Sequence, residues 1–136
     1  MSHVETLIPH RAPMRWISRL GTCTETTASA TACFSADDFA VADGSVLETA
    51  LVECVAQTVA AAAGHRIQGQ EQAGNLIAKG MLVAVSGFKI QSRPPAGKSL
   101  QIEVRELKRF GLLTLVCGVV SSEGQTIASG ELTLYA

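Results

Sequence analysis

From Val46 to about His65, Leu47, Leu51, Cys54, Val55, Thr58 and Val59 fall at helical spacing, and no Gly or Pro interrupts them before Gly64. The Ala60 to Ala63 run then makes the segment apolar nearly all round. A helix of that kind is buried, so another element has to wrap it. Ser45 is the expected N-cap, with Glu48 three residues on at the capping-box spacing. Elsewhere, segments with rough or partial alternation of period two are separated by loops. "RWISRLGTCTETTASATACFSA", Arg15 to Ala36, is rich in Thr, Cys, Ile and Ala with a Gly21 break, and it predicts two strands. "DDFAVADGS" is a loop that closes on the turn pair Asp43-Gly44.

After the polar connection "RIQGQEQAGN" come "LIAKGMLVAVSGFKIQSR", "SLQIEVRELKRFG", "LLTLVCGVVSS" and "QTIASGELTLYA", four strand-like segments with β-branched residues. "RPPAGKS", "RFG" and "SEGQ" separate them as turns, the last as a hairpin connection. At the start, "IPHRAPM" interrupts regular structure at Pro9 and Pro13 and follows a short helix or turn. The order is a short helix, strands, one long buried helix, then about four antiparallel strands. This is an α+β domain in which a curled sheet surrounds a single helix, with no repeat or linker dividing residues 1–136.

Composition narrows the function classes. The chain is 47% hydrophobic but 4% aromatic, so Ala, Val, Leu and Ile must fill its interior. Its 17% charged fraction lies below the roughly 25% of ordinary soluble domains, consistent with surface hidden in a partner subunit. A formal net charge of −1 argues against a nucleic-acid binder. No run reaches the roughly 18 apolar residues of a membrane span, and "MSHVETLIPHRAPM" lacks a signal-type apolar stretch, so a cytoplasmic protein is expected. Cys23, Cys33, Cys54 and Cys117 form no CxxC pair. They read as reduced, mostly buried small hydrophobes, and no metal is expected.

Inside the apolar run stands one carboxylate, Glu53, flanked by Val52, Cys54, Val55 and Ala56. Its plainer readings are an acid on an exposed stripe or one paired with an arginine. Its chemical reading is an acid/base group whose pKa is raised by desolvation. Gln57, one turn on and on the same face, is placed to hold that carboxyl in one orientation.

These features together resemble the hot-dog superfamily, and within it the β-hydroxyacyl-acyl-carrier-protein dehydratases of the FabA/FabZ type. "PHRAPM" is similar to the family's Pro-His-Arg-x-Pro segment at Pro9, His10, Arg11 and Pro13, and "ECVAQ" to its acid followed four residues later by Gln. "DGSVLETALVECVAQTVAAAAG" and "SGFKIQSRPPAGKSLQIEV" extend the likeness along nearly the whole chain. The resemblance implies a hot-dog fold and dehydration of a 3-hydroxyacyl thioester, with Glu53 catalytic and Gln57 orienting it. It also implies that backbone amides near Glu48 and Thr49 meet the thioester oxygen. His10 is carried as a substrate-contact candidate, against its plainer role in a turn and dimer edge.

One departure is decisive. The family's catalytic histidine sits in a Gly-His-Phe-Pro-Gly loop about fourteen residues before the acid, and counting back from Glu53 reaches Phe39 in "DDFAVADG". No histidine lies between His10 and His65. His65 reads as a helix C-terminal residue facing the dipole, and His3 as part of the terminus. The loop resembles that of the predicted dehydratases of aryl-polyene clusters, one of which is thought to act with a histidine-bearing hot-dog partner.

The expected partners are therefore an acyl thioester substrate, an acyl carrier protein, and a second hot-dog chain, as a homodimer or a hetero-oligomer with a His-bearing protein. No cofactor is expected beyond the phosphopantetheine of the carrier or CoA that brings the substrate. Arg11, Arg15, Lys89, Arg93, Lys98, Arg105, Lys108 and Arg109 are candidates for a basic patch meeting the carrier, or for ordinary solvated charges. A hot-dog thioesterase, with the helix carboxylate acting alone, and a non-catalytic partner subunit are the competing readings.

Overall fold

The computed structural model describes residues 16–68 and 81–135. It contains β1 (Ile17–Cys23), β2 (Thr27–Ala32), β3 (Val41–Ala42), β4 (Ser45–Val46), α1 (Glu48–Gln68), β5 (Met81–Ile90), β6 (Leu100–Phe110), β7 (Leu113–Ser122) and β8 (Gln125–Tyr135). Six strands pair antiparallel in the order β1-β2-β6-β7-β8-β5, and β3 and β4 form a separate small hairpin. Helix α1 packs on one face of the large sheet and touches all six of its strands. This is the hot-dog arrangement.

Strand alternation sets which side chains meet the helix. Ala28, Ala30 and Ala32 of β2, Leu100, Ile102 and Val104 of β6, Val116 and Val120 of β7, and Leu132 and Leu134 of β8 are buried on the inner face. Register rows run across the sheet, with Ala30 opposite Ile102 and Ile102 opposite Val120. Small residues mark where α1 comes closest. Gly118 lies opposite both Val104 and Gly130, and a Cβ added there would collide with the Val55 side chain of α1.

Gly118→Ala should therefore overpack the interface, costing about 1–3 kcal/mol and lowering Tm by roughly 3–10 °C in thermal unfolding. The double variant with Val55→Ala should lose less than the two single variants combined, because the methyls that collide are then gone. Strict additivity would mean that the close approach is not what makes Gly118 necessary.

The turns follow local chemistry. Asp43-Gly44 and Glu123-Gly124 each have two consecutive positive φ values, 54° and 78°, and 52° and 81°, as a type I′ hairpin turn requires. The β6–β7 link is Gly111-Leu112, with only Gly111 (φ 57°) in the left-handed region, the pattern of a II′ turn.

The helix boundaries differ from expectation. Ser45 does not cap α1; it pairs with Ala42 and bridges to Pro95, and the helix starts three residues later. The reason is tertiary. The 92–97 segment recruits this stretch: Val46 N–H donates to Pro94 O (2.9 Å), Ala96 N–H to Gly44 O (2.9 Å) and Gly97 N–H to Phe34 O (2.8 Å). At the other end α1 continues through buried Gly64 to Gln68, and the Arg66 guanidinium ties its last turn to Thr24 O (2.8 Å) and Thr27 O (3.4 Å).

Candidate active site

Along α1, Leu51, Cys54, Val55, Thr58, Ala61 and Ala62 are buried. Thr49, Val52, Glu53, Val59 and Ala63 are less covered, and their spacing places them along one side of the helix. Glu53 sits half-buried in this otherwise apolar stripe, neither on a fully exposed face nor sealed in the core. The adjacent Cys54 is fully buried; burial pushes its thiol pKa up, and the Glu53 charge beside it pushes further in the same direction. A thiol held protonated is a poor nucleophile.

Gln57, one turn beyond Glu53, is fully buried. Its Oε1 accepts hydrogen bonds from the backbone N–H of Trp16 (2.9 Å) and of Ile17 (3.3 Å). It therefore fastens the start of β1 to the middle of the helix. The amide nitrogen is the end of Gln57 whose chemistry suits a carboxylate, since it donates where Oε1 only accepts.

Glu48 and Thr49 form the exposed first turn of α1, on the approach to Glu53. Arg93 braces that turn from below. Its guanidinium donates to Ala42 O (2.8 Å), Ser45 O (3.0 Å) and Val46 O (3.0 Å), and its Nε stands 3.9 Å from Glu48 Oε1. Nothing in the sequence around "SRPPAG" signals this role, because all three acceptors are backbone carbonyls more than 40 residues away.

Phe39, at the place reached by counting back to the family's histidine, is 57% exposed. Its ring lies 5.7 Å from that of Trp16, which stands at the same distance from buried Phe34. An aromatic cluster thus occupies the loop. Among the described residues the only histidine is His65, exposed and twelve residues beyond Glu53, about 18 Å along the helix axis. His3, His10, Arg11 and Arg15 lie outside the described residues.

A cavity of about 50 Å³ lies two turns beyond Glu53 on the same side of α1. Val59, Ala60 and Ala63 form its helix wall, and Val104, Val116 and Leu134 its sheet wall. Its polar border is Arg66, Glu106, Arg109 and Thr114. The alanine run, read from the sequence only as helix wall, leaves this space because a methyl group cannot reach the sheet where a longer side chain would.

The basic candidates separate. Arg93 is committed to carbonyls, Lys98 pairs with Glu123 (3.3 Å) and Arg109 with Glu106 (2.8 Å), while Lys89, Arg105 and Lys108 are exposed. Of the cysteines only Cys54 is buried; Cys23 and Cys117 are half-buried and Cys33 is exposed, a correction that follows from Cys33 sitting beyond the end of β2. Among the described residues no group of three or more His, Cys, Asp or Glu side chains is placed to hold a metal, and no helix is long and apolar enough to cross a membrane.

Comparison with known proteins places this geometry. No curated protein matches the chain. Among solved structures, the dehydratase heterocomplex ApeI:P from Xenorhabdus doucetiae is similar at 21% identity with a TM-score of 0.88, over 99% of this chain and 91% of that one. The protein smu.793 from Streptococcus mutans, bound to acetyl CoA, is 12% identical with a TM-score of 0.68, over 93% and 91%. The E. coli PaaI protein from the phenylacetic acid degradation operon is 13% identical with a TM-score of 0.67, over 87% and 82%. At these identities the likenesses establish the hot-dog fold. The family model described as ApeP-like, ApeP dehydratase, matches residues 2–136, and the chain accordingly belongs to the ApeP-like family, that of the ApeP dehydratase.

Proposed function

We propose that this chain is the acid-bearing half of a 3-hydroxyacyl thioester dehydratase whose histidine comes from a second hot-dog chain. The observation that carries the reading is Glu53, a half-buried carboxylate in the apolar stripe of α1, with a lined cavity two turns further along the same side. A likeness to a solved dehydratase heterocomplex supports a two-chain assembly.

In the reaction, a base removes the proton on C2, the C2=C3 double bond forms, and the C3–O bond breaks as its hydroxyl takes a proton and leaves as water. Glu53 supplies the proton to the leaving hydroxyl, and the partner's imidazole takes the C2 proton. The first-turn amides of α1, at Glu48 and Thr49, stabilise the charge that develops on the thioester oxygen, since first-turn N–H groups have no intrahelical acceptor. Phosphopantetheine of a carrier protein or CoA brings the substrate. The acyl tail runs along Ala56 toward the cavity at Ala60 and Ala63.

The test is conversion of a 3-hydroxyacyl-carrier-protein to its enoyl form, followed by mass spectrometry, for the chain alone and with a His-bearing hot-dog protein. Turnover only with the partner supports the composite site. Release of free acid instead would make the chain a thioesterase, and no turnover in any combination would leave the partner-subunit reading.

Tail length is readable in the same assay. Ala63→Phe fills the cavity and should lower kcat/KM for long acyl chains by about tenfold or more, with short-chain substrates nearly unaffected. An equal loss for short and long chains would show that the tail does not enter this space.

A further inference from the structure

One strand of the sheet is apolar on the side that no described residue covers. Alternating with buried Thr114, Val116, Gly118 and Val120, β7 turns Leu113, Leu115, Cys117 and Val119 to the outer face, away from α1. Its neighbours differ. Their outward positions are polar, with Ser29 on β2, Glu103 and Arg105 on β6, and Glu131 and Thr133 on β8. A sheet face left in water carries polar side chains, whereas a strand that is apolar outward as well as inward reads as one covered on both sides. Exposed Phe110 and Tyr135 widen the stripe at one end, each in register with Leu113. Charge is arranged about the same stripe: Arg105 on β6 pairs with Cys117, and Cys117 with Glu131 on β8. Opposite charges therefore stand in one row, on either side of an apolar centre.

We propose that two copies of this chain pack back to back through these outer faces, related by a two-fold axis that runs along β7. The inference does not rest on the dehydratase reading. Such an axis turns the second sheet over, so that β6 of one copy faces β8 of the other and each row meets the same row of its mate. Arg105 of each copy then faces Glu131 of the other, on both sides of a centre at Cys117. Phe110 likewise faces Tyr135, and the apolar side chains of β7 meet their own counterparts. Aligned sheets lie about 10 Å apart, a gap that Arg and Glu side chains reach across from the two faces. An axis across the strands through Cys117 would instead set Arg105 against Arg105 and Glu131 against Glu131. The contact leaves the edge strands β1 and β5 free to pair with another chain.

Sedimentation velocity of the full chain, alone and mixed with a His-bearing hot-dog protein, reads the mass of the assembly. Leu115→Glu, which puts a charge in the middle of the stripe, should halve that mass at micromolar concentration while the circular dichroism spectrum stays that of the parent. Arg105→Glu and Glu131→Arg should each raise the self-association Kd by about tenfold or more, because each sets like charges against one another across the contact. The double variant Arg105→Glu/Glu131→Arg should return to within about threefold of the parent, since the pairs are remade with their signs exchanged. This swap decides the matter where Leu115→Glu fails to fold. A parent that never exceeds one copy overturns the proposal. So does a mass that a folded Leu115→Glu leaves intact, or a double variant that associates no more tightly than the single ones. If the variants spare self-association and abolish binding of the His-bearing chain, the face belongs to that chain and the proposal falls.

Discussion

Glu53→Gln should lower kcat for dehydration by about two to four orders of magnitude, the range a positioned general acid or base contributes. The substitution keeps the shape of the side chain and removes its ability to give up a proton. Since Glu53 is only half-buried and its flanks carry the packing, Tm should hold within a few degrees. The measurement is enoyl product formed under saturating substrate, beside a thermal melt of the same preparation. A variant that melts normally yet turns over at the parent rate would remove Glu53 from the chemistry. One that loses rate and melting point together would mark a structural role.

The second large effect concerns stability. Gln57→Leu should destabilise the fold by about 2–5 kcal/mol, because it removes the oxygen that accepts from the Trp16 and Ile17 amides, and a buried hydrogen bond left unmade costs roughly 1–3 kcal/mol. Gln57→Glu retains two acceptor oxygens and should lose less. Chemical denaturation of the two variants separates them, with the midpoint of the leucine variant well below that of the glutamate variant. If both lose equally, the lost term is side-chain packing and not the two hydrogen bonds. The distinction matters for mechanism, because a residue that anchors β1 to α1 also sets how the helix presents Glu53. Activity of Gln57→Leu is then best measured well below its melting temperature.

Much of this protein was legible in its residues. The apolar run with one carboxylate, the two-strand start and the four later strands rest on periodicities of 3.6 and 2 that neighbouring residues carry by themselves. Asp43-Gly44, the turn after Ser122 and Gly111 needed only the local preference for positive φ. The motif around "ECVAQ" and the absence of a histidine between His10 and His65 were likewise visible, and the family match over residues 2–136 agrees with the resemblance read from the chain. The capping box at Ser45 looked equally local and misled, since the amide of Val46 and the carbonyls of Ala42, Ser45 and Val46 are taken by Pro94 and Arg93.

The tertiary structure alone decided which face of α1 is open, that Gln57 Oε1 serves the backbone of residues 41 and 40 positions away, and that the alanine run leaves a cavity. It also decided which cations are committed and which remain on the surface. Each of these depends on groups far apart in sequence that fold closure brings within a few ångströms. Local propensity carries no record of that distance, so the chain announced its helix, its strands and its acid, and packing assigned them their partners.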